Sequence, residues 1–117
     1  MLGLPMGSKI YFCSQPVDFR KQFDGLCGIV ESVFEKNVLD GHLFLFVNRR
    51  RDRIKALWWE VGGLILWYKR LERGTFELPA AQENQTHVTI DATQLAMLIG
   101  GVPLVSARTR RKRLAAA

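Results

Sequence analysis

The sequence predicts an α+β domain: a mostly antiparallel sheet of about five strands, with one long helix packed on a face and a short C-terminal helix. Three observations carry this expectation. An apolar stripe recurs at steps of three and four residues between positions 19 and 35. Three apolar runs, 42–48, 53–60 and 64–71, then follow one another with short turns between them, the layout of a meander. A strand-like HVTI and a second short stripe close the pattern.

Taken in order, residues 9–13, KIYFC, are β-branched and aromatic and read as the first strand. Gln15-Pro16 ends it, because proline cannot donate to a ladder. Asp18 is placed to cap a helix of about 17 residues over 19–35. Its stripe is Phe19, Phe23, Leu26, Cys27, Val30, Val33 and Phe34. Gly25 and Gly28 each cost about 1 kcal/mol inside a helix, which points to close packing against the sheet. Asp40-Gly41 has turn chemistry, and HLFLFVN (42–48) is apolar on both faces, as a central strand is.

In the run 53–60, Arg53, Lys55, Leu57 and Trp59 share one face, while Ile54, Ala56 and Trp58 share the other. Val61-Gly62-Gly63 makes a tight turn into LILWYKRL (64–71). Gly74 turns the chain into a short strand, TFEL (75–78), an exposed edge that a second copy could pair with. Residues 80–86 are a polar loop and 87–90 a short strand. Asp91 caps a helix over 92–99 with Leu95, Leu98 and Ile99 on one face, ended by Gly100-Gly101. Residues 1–103 form one domain on this reading, and 104–117 a basic tail that is disordered until it meets a partner.

At 117 residues, 48% apolar and 24% charged, the composition is that of a globular domain. No apolar run reaches the roughly 18 residues of a membrane span. The N-terminus lacks the layout of a signal peptide, so a cytoplasmic setting is expected. Cys13 and Cys27 do not form a CxxC pair, and no disulfide is expected. Cys27, on the helix stripe, reads as a buried free thiol.

Net charge is +6, and its distribution is uneven. Arg108, Arg110, Arg111, Lys112 and Arg113 crowd the tail, leaving 12 cations against 11 acids elsewhere. In the body, positive charge concentrates in RRRDRIK: Arg49, Arg50, Arg51, Arg53 and Lys55, with Asp52 as a local counter-charge. Lys69 and Arg70 stand at the end of the third apolar run, and Arg73 follows it. Guanidinium groups fork onto phosphate and carboxylate alike. Three readings stand side by side. One is phosphate contact on nucleic acid, with Arg53 and Lys55 beside Trp59 for base stacking. Another is docking of an acidic protein patch. The third is a solvated hairpin tip with the tryptophans in the core, where Trp58 belongs by its Ile54 and Ala56 neighbours. Tails like the C-terminal one give sequence-independent phosphate affinity. No recognition-helix pattern or zinc-finger spacing accompanies them.

No catalytic, metal or cofactor site is legible. Cys13, Cys27, His42 and His87 match no closed zinc spacing. The carboxylates Asp18, Asp24, Asp40, Asp52 and Glu60 come one at a time, not clustered as divalent metals require. Neither a phosphate-cradling glycine loop nor a nucleophile elbow is present.

Longer stretches carry a resemblance. Val17-Asp18-Phe19-Arg20-Lys21 leading to Phe23-Asp24-Gly25-Leu26, then GHLFLFVNRRRDRIKALWWE, then LWYKRLERGTFELP, are similar to the small TnpB accessory family of the bacterial insertion sequences numbered sixty-six. That family is unrelated to the RNA-guided nuclease of the same label. The resemblance runs from about Leu2 to Gly101. It implies an accessory role in DNA transposition, beside a larger transposase that does the cutting and joining, with no well-defined catalytic activity of its own. DNA and that transposase are the partners it implies. It marks Asp18, Arg20, Lys21, Asp24, Arg49, Arg51, Asp52, Arg53, Lys55, Lys69, Arg70 and Arg73 as functional candidates without supplying their individual roles; Asp18, Arg20, Lys21, Asp24 and Asp52 are read here as contacts to a protein partner. The chain departs from the family pattern at Phe19, at Gln22, in the turn Val61-Gly62-Gly63 and after Gly100.

Overall fold

In the computed structural model, residues 7–81 and 84–100 are described. The strands are β1 (Ile10–Cys13), β2 (Leu43–Val47), β3 (Arg53–Glu60), β4 (Gly63–Arg70) and β5 (His87–Ile90). The helices are α1 (Phe23–Ser32) and α2 (Ala92–Ile99), and a 3-10 turn covers Val38–Asp40. The strands form one sheet in the order β4-β3-β2-β1-β5. β2, β3 and β4 are the expected meander, closed between β3 and β4 by the two-residue turn Val61-Gly62 with Gly62 at φ +88°. β1 runs parallel to β2, which requires a long crossover, and α1 supplies it. β5 returns antiparallel to β1 at the far edge. The fold class is therefore α+β with a mostly antiparallel sheet.

β2 is central and all five of its residues are buried, which explains why it is apolar on both faces. Phe44, Phe46 and Leu57 point to one side, where Leu26 and Val30 of α1 and Phe34 cover them. Leu43, Leu45, Ile54 and Trp58 point to the other, against Phe76 and against Leu95 and Leu98 of α2. The short helix thus covers the face that α1 leaves open. Its start is as read: the Asp91 carboxylate accepts from the Gln94 N–H, and Gln94 Oε1 accepts from the Asp91 N–H.

The long helix is shorter than its stripe. α1 spans 10 residues, and Phe19 to Gln22 lie outside it. Asp18 does not cap it. Its carboxylate accepts instead from the Arg20 N–H at 2.9 Å, the local bond that lets aspartate compete with helix. The decisive group is Lys55. Its side chain is fully buried (0% exposed), and its ammonium donates to the Phe19 and Lys21 carbonyls at 2.9 and 2.8 Å. It also lies 4.8 Å from the Phe19 ring centroid and 5.0 Å from that of Tyr68. Two backbone acceptors of the segment are thereby committed to a side chain of the sheet. At the other end Glu35 turns left-handed at φ 55°, and the Lys36 N–H reaches back to the Val30 carbonyl.

Other expectations change for related reasons. Phe23, at the helix start, is 41% exposed. Gly28 faces open space, and a side chain at Gly25 would meet Lys21 Cβ at 2.9 Å, so that glycine accommodates the pinned loop rather than the sheet. Cys13 is the buried thiol and Cys27 is half-buried; both are free. TFEL is not a strand. Phe76 is buried beneath the sheet, its N–H held by the Arg51 carbonyl, and the segment joins no ladder. Gly100 ends α2 in right-handed conformation, while Gly101 and the tail lie outside the described residues. No described helix is long and apolar enough to cross a membrane.

Replacing Lys55 with methionine keeps the bulk but orphans two carbonyls. Urea unfolding should show a loss of about 2 kcal/mol, with faster amide exchange across 17–22 than across β2. An unchanged midpoint would show that the ammonium contributes nothing net.

Candidate functional site

Residues 48–52 link β2 to β3, and Asn48 organises them. Its Oδ1 accepts from the Asp52 and Arg53 N–H groups at 3.1 and 3.0 Å, and its Nδ2 donates to the Asp52 carboxylate at 2.6 Å. The Arg51 N–H returns to the Asn48 carbonyl, with Arg51 left-handed at φ 61°. A β-carbon disfavours that conformation, so the loop is held there by its bonds. The Asp52 and Arg51 carbonyls accept from Leu71 and Phe76 beneath. Arg49, Arg50 and Arg51 stand exposed on this braced loop, and none has an ion-pair partner among the described residues.

The segment pinned by Lys55 lies against the loop. Between them is an open groove of about 440 Å³ lined by Val17, Asp18, Phe19, Arg20, Asn48, Arg49, Arg50, Asp52 and Arg53. The Val17 N–H bonds the Val47 carbonyl and fixes one wall to the end of β2. Arg20 forks onto Asp18, with contacts at 2.6, 3.0 and 3.1 Å, and this holds the exposed carboxyl down to about 2. Asp52 is also held below the usual carboxylate range, first by the Asn48 amide and then by the charges of Arg53 and Arg50. Burial pulls the Lys55 ammonium down, opposed by the charge of Asp18.

Arg53 stands directly across from Arg70 in the β3–β4 ladder. Like charges facing each other across a sheet are destabilising. Arg53 turns to the Tyr68 hydroxyl at 3.1 Å, and Arg70 leans toward Glu72 at 3.8 Å. Nothing in the packing of the sheet calls for this juxtaposition.

The sequence-predicted residues therefore divide. Arg49, Arg50, Arg51, Arg53 and Arg70 share one end of the sheet, joined by Asp18, Arg20 and Asp52. Lys55 does not belong to that surface: it is buried under it. Lys69 lies on the opposite sheet face, where its ammonium donates to the Ile99 carbonyl at 2.7 Å and caps the C-terminal end of α2. Trp59 is paired with Leu64 at the far end of β3, about 20 Å from Arg53 by strand rise, so it does not stand beside the cations. The aromatics there are Tyr68 and Phe19, in edge contact at 5.7 Å. Trp58 is buried, as read. Arg73 is exposed in the following loop, Lys21 is exposed beside Gly25, and Asp24 sits in the first turn of α1, where its charge suits the helix dipole. Arg108, Arg110, Arg111, Lys112 and Arg113 lie outside the described residues.

Sequence reasoning missed Asn48, Tyr68 and the convergence of the two basic segments. The Asn48–Asp52 spacing is the one local signal that could have revealed the braced loop.

Among known proteins, the family model described as IS66 Orf2 like protein matches residues 8–109. The chain belongs to the IS66 Orf2-like family. This is a transposition-associated accessory family of insertion sequences, in agreement with the resemblance seen in the sequence. Two relatives come from Sinorhizobium fredii. Uncharacterized protein y4jC is 32% identical over 112 residues, covering 96% of this chain and 92% of its own length. Uncharacterized protein y4hO is 34% identical over 101 residues, covering 85% and 86%. No solved structure matches. The family match takes in the groove, the basic loop and the meander together.

An NMR titration of the Asp18 carboxyl should give a midpoint near 2, against its ordinary 3.8. The folded value is the lower one, so the pair's contribution is complete above 3.8 and lost as pH falls through about 2. Arg20→Ala should return the midpoint toward 3.8; a midpoint that stays low would assign the shift to something other than the guanidinium.

Proposed function

We propose that this IS66 Orf2-like protein is a non-catalytic accessory component of transposition that binds DNA, in the bacterial cytoplasm, through the Arg49–Arg51 loop and its neighbours Arg53, Arg70 and Arg20. The observation that carries the reading is the loop itself: three consecutive exposed arginines held on a braced backbone without a described ion-pair partner. Asp52, the carboxylate of the same loop, is bonded by the Asn48 amide and forms no ion pair with them. The Arg53–Arg70 opposition supports the same reading, because a phosphate between two guanidinium groups would relieve it. Tyr68, 44% exposed and next to Arg53, offers a ring to a base. The tail cations add sequence-independent phosphate affinity.

A second reading is favoured by one feature, the presence of Asp18 and Asp52 in the same groove. A surface of both signs suits a protein, and the transposase of the same element is the natural candidate.

Fluorescence anisotropy with duplex DNA across a salt series separates the two. Binding should fall with a log–log slope of about −0.9 per phosphate neutralised. Changing Arg49, Arg50 and Arg51 together to alanine should weaken binding at every DNA sequence and flatten the slope by about 3. Truncation at Ala107 should flatten it further. Absence of binding at low salt would overturn the DNA reading, and transposase co-purification that survives nuclease treatment would then establish the adaptor.

A further inference from the structure

The sheet has two edges, and they differ. β5 is four residues long, a length that by itself discourages pairing. β4 is eight residues long, pairs with β3 in uninterrupted register from Gly63 to Arg70, and contains neither proline nor bulge. Five consecutive apolar or aromatic residues, Leu64 to Tyr68, lie on it, and none is buried. Ile65 is 36% and Tyr68 44% exposed, on opposite faces of the strand. Among the described residues, no strand pairs with its outer side. The lysine that could guard this edge, Lys69, is drawn away to the Ile99 carbonyl.

We propose that β4 pairs antiparallel with β4 of a second copy about a two-fold axis through Leu66, joining two five-stranded sheets into one of ten. The strand is self-complementary in this register, and that makes a second copy the occupant. This register keeps each face of the sheet continuous. It sets Ile65 opposite Trp67 of the other copy and Leu64 opposite its Tyr68, aromatic–aliphatic pairs of the kind that stabilise sheets. The cations do not meet: Arg70 falls opposite Gly62 and Lys69 opposite Gly63. An isologous contact of this kind closes on itself and leaves only the short β5 strands as edges. The dimer does not depend on what the basic loops bind. It places Arg53 and its copy on the same face, about 30 Å apart by strand rise and spacing, close to the roughly 34 Å of one duplex turn.

Sedimentation equilibrium of the full chain at tens of micromolar should give a dimer. Leu66→Lys sets two ammonium groups face to face across the axis and should sediment as a monomer with an unchanged circular dichroism spectrum. Leu66→Cys tests the register without relying on that variant's folding. The two Cα atoms would be about 4.5–5.5 Å apart, within disulfide reach, so mild oxidation should link two chains through position 66. The wild type, with Cys13 buried and Cys27 half-buried, is the control for other links. A monomeric full chain overturns the proposal. So does a dimer in which the Leu66→Cys chains fail to cross-link. A truncation after Gly100 that dimerises where the full chain does not would also overturn it, assigning the edge to the chain's own C-terminal residues.

Discussion

A single buried ammonium joins the two parts of this protein that carry its charge. Lys55 rises from the middle of β3 into the face covered by α1, where its immediate charge-assisted partners are the carbonyls of Phe19 and Lys21 and two aromatic rings. Burying a cation without an adjoining carboxylate is costly unless its donors are satisfied. Here the acceptors come from a segment that would otherwise be helix. The same bonds that satisfy Lys55 hold residues 18–22 open, and the open segment forms one wall of the groove. The start of α1, the requirement for glycine at 25 and the position of Arg20 all follow from where that ammonium ends.

The opposite wall is built by a different device. Asn48 substitutes for backbone partners that a five-residue link cannot supply, and the segment 71–76 bonds the loop from below. Arginines on a loose hairpin would lose much side-chain and backbone freedom on meeting an anion. A braced loop has already lost the backbone part, which leaves more of the interaction energy for affinity. Within the groove the acids are spoken for, Asp18 by Arg20 and Asp52 by Asn48. The outer loop, Arg49 to Arg51, therefore carries positive charge with no ion-pair partner among the described residues. Charge that packing does not require, held rigid at one end of a sheet, fits the accessory place of the IS66 Orf2-like family in transposition.

Strand pairing gives the molecule a direction. The basic loop lies at one end of the β3–β4 ribbon and the Val61-Gly62 turn at the other. Trp58 and Trp59 belong to that second end, which is why neither tryptophan stands beside the cations. The partner of Arg53 is the tyrosine one strand over.

Much of the fold was legible in the chain because it rests on local chemistry. Periodicity marked the meander, uniform apolarity marked β2 as central, and Asp91 marked the start of α2. The family was legible too, since long matched stretches survive changes that blur any single motif. What the tertiary structure alone decided is where the charges go. Alternation along β3 put Lys55 on the same face as Arg53, and nothing local distinguishes a lysine that reaches solvent from one that reaches two carbonyls 34 and 36 positions away. The stripe over 19–35 was a true helical pattern whose first turn was overridden by that long-range bond. TFEL had strand propensity, but its phenylalanine was taken by the core beneath the loop. Propensity and period are properties of neighbours in sequence. The groove is a property of two segments about 30 positions apart, and it exists because a buried cation on the sheet found its acceptors on the other segment.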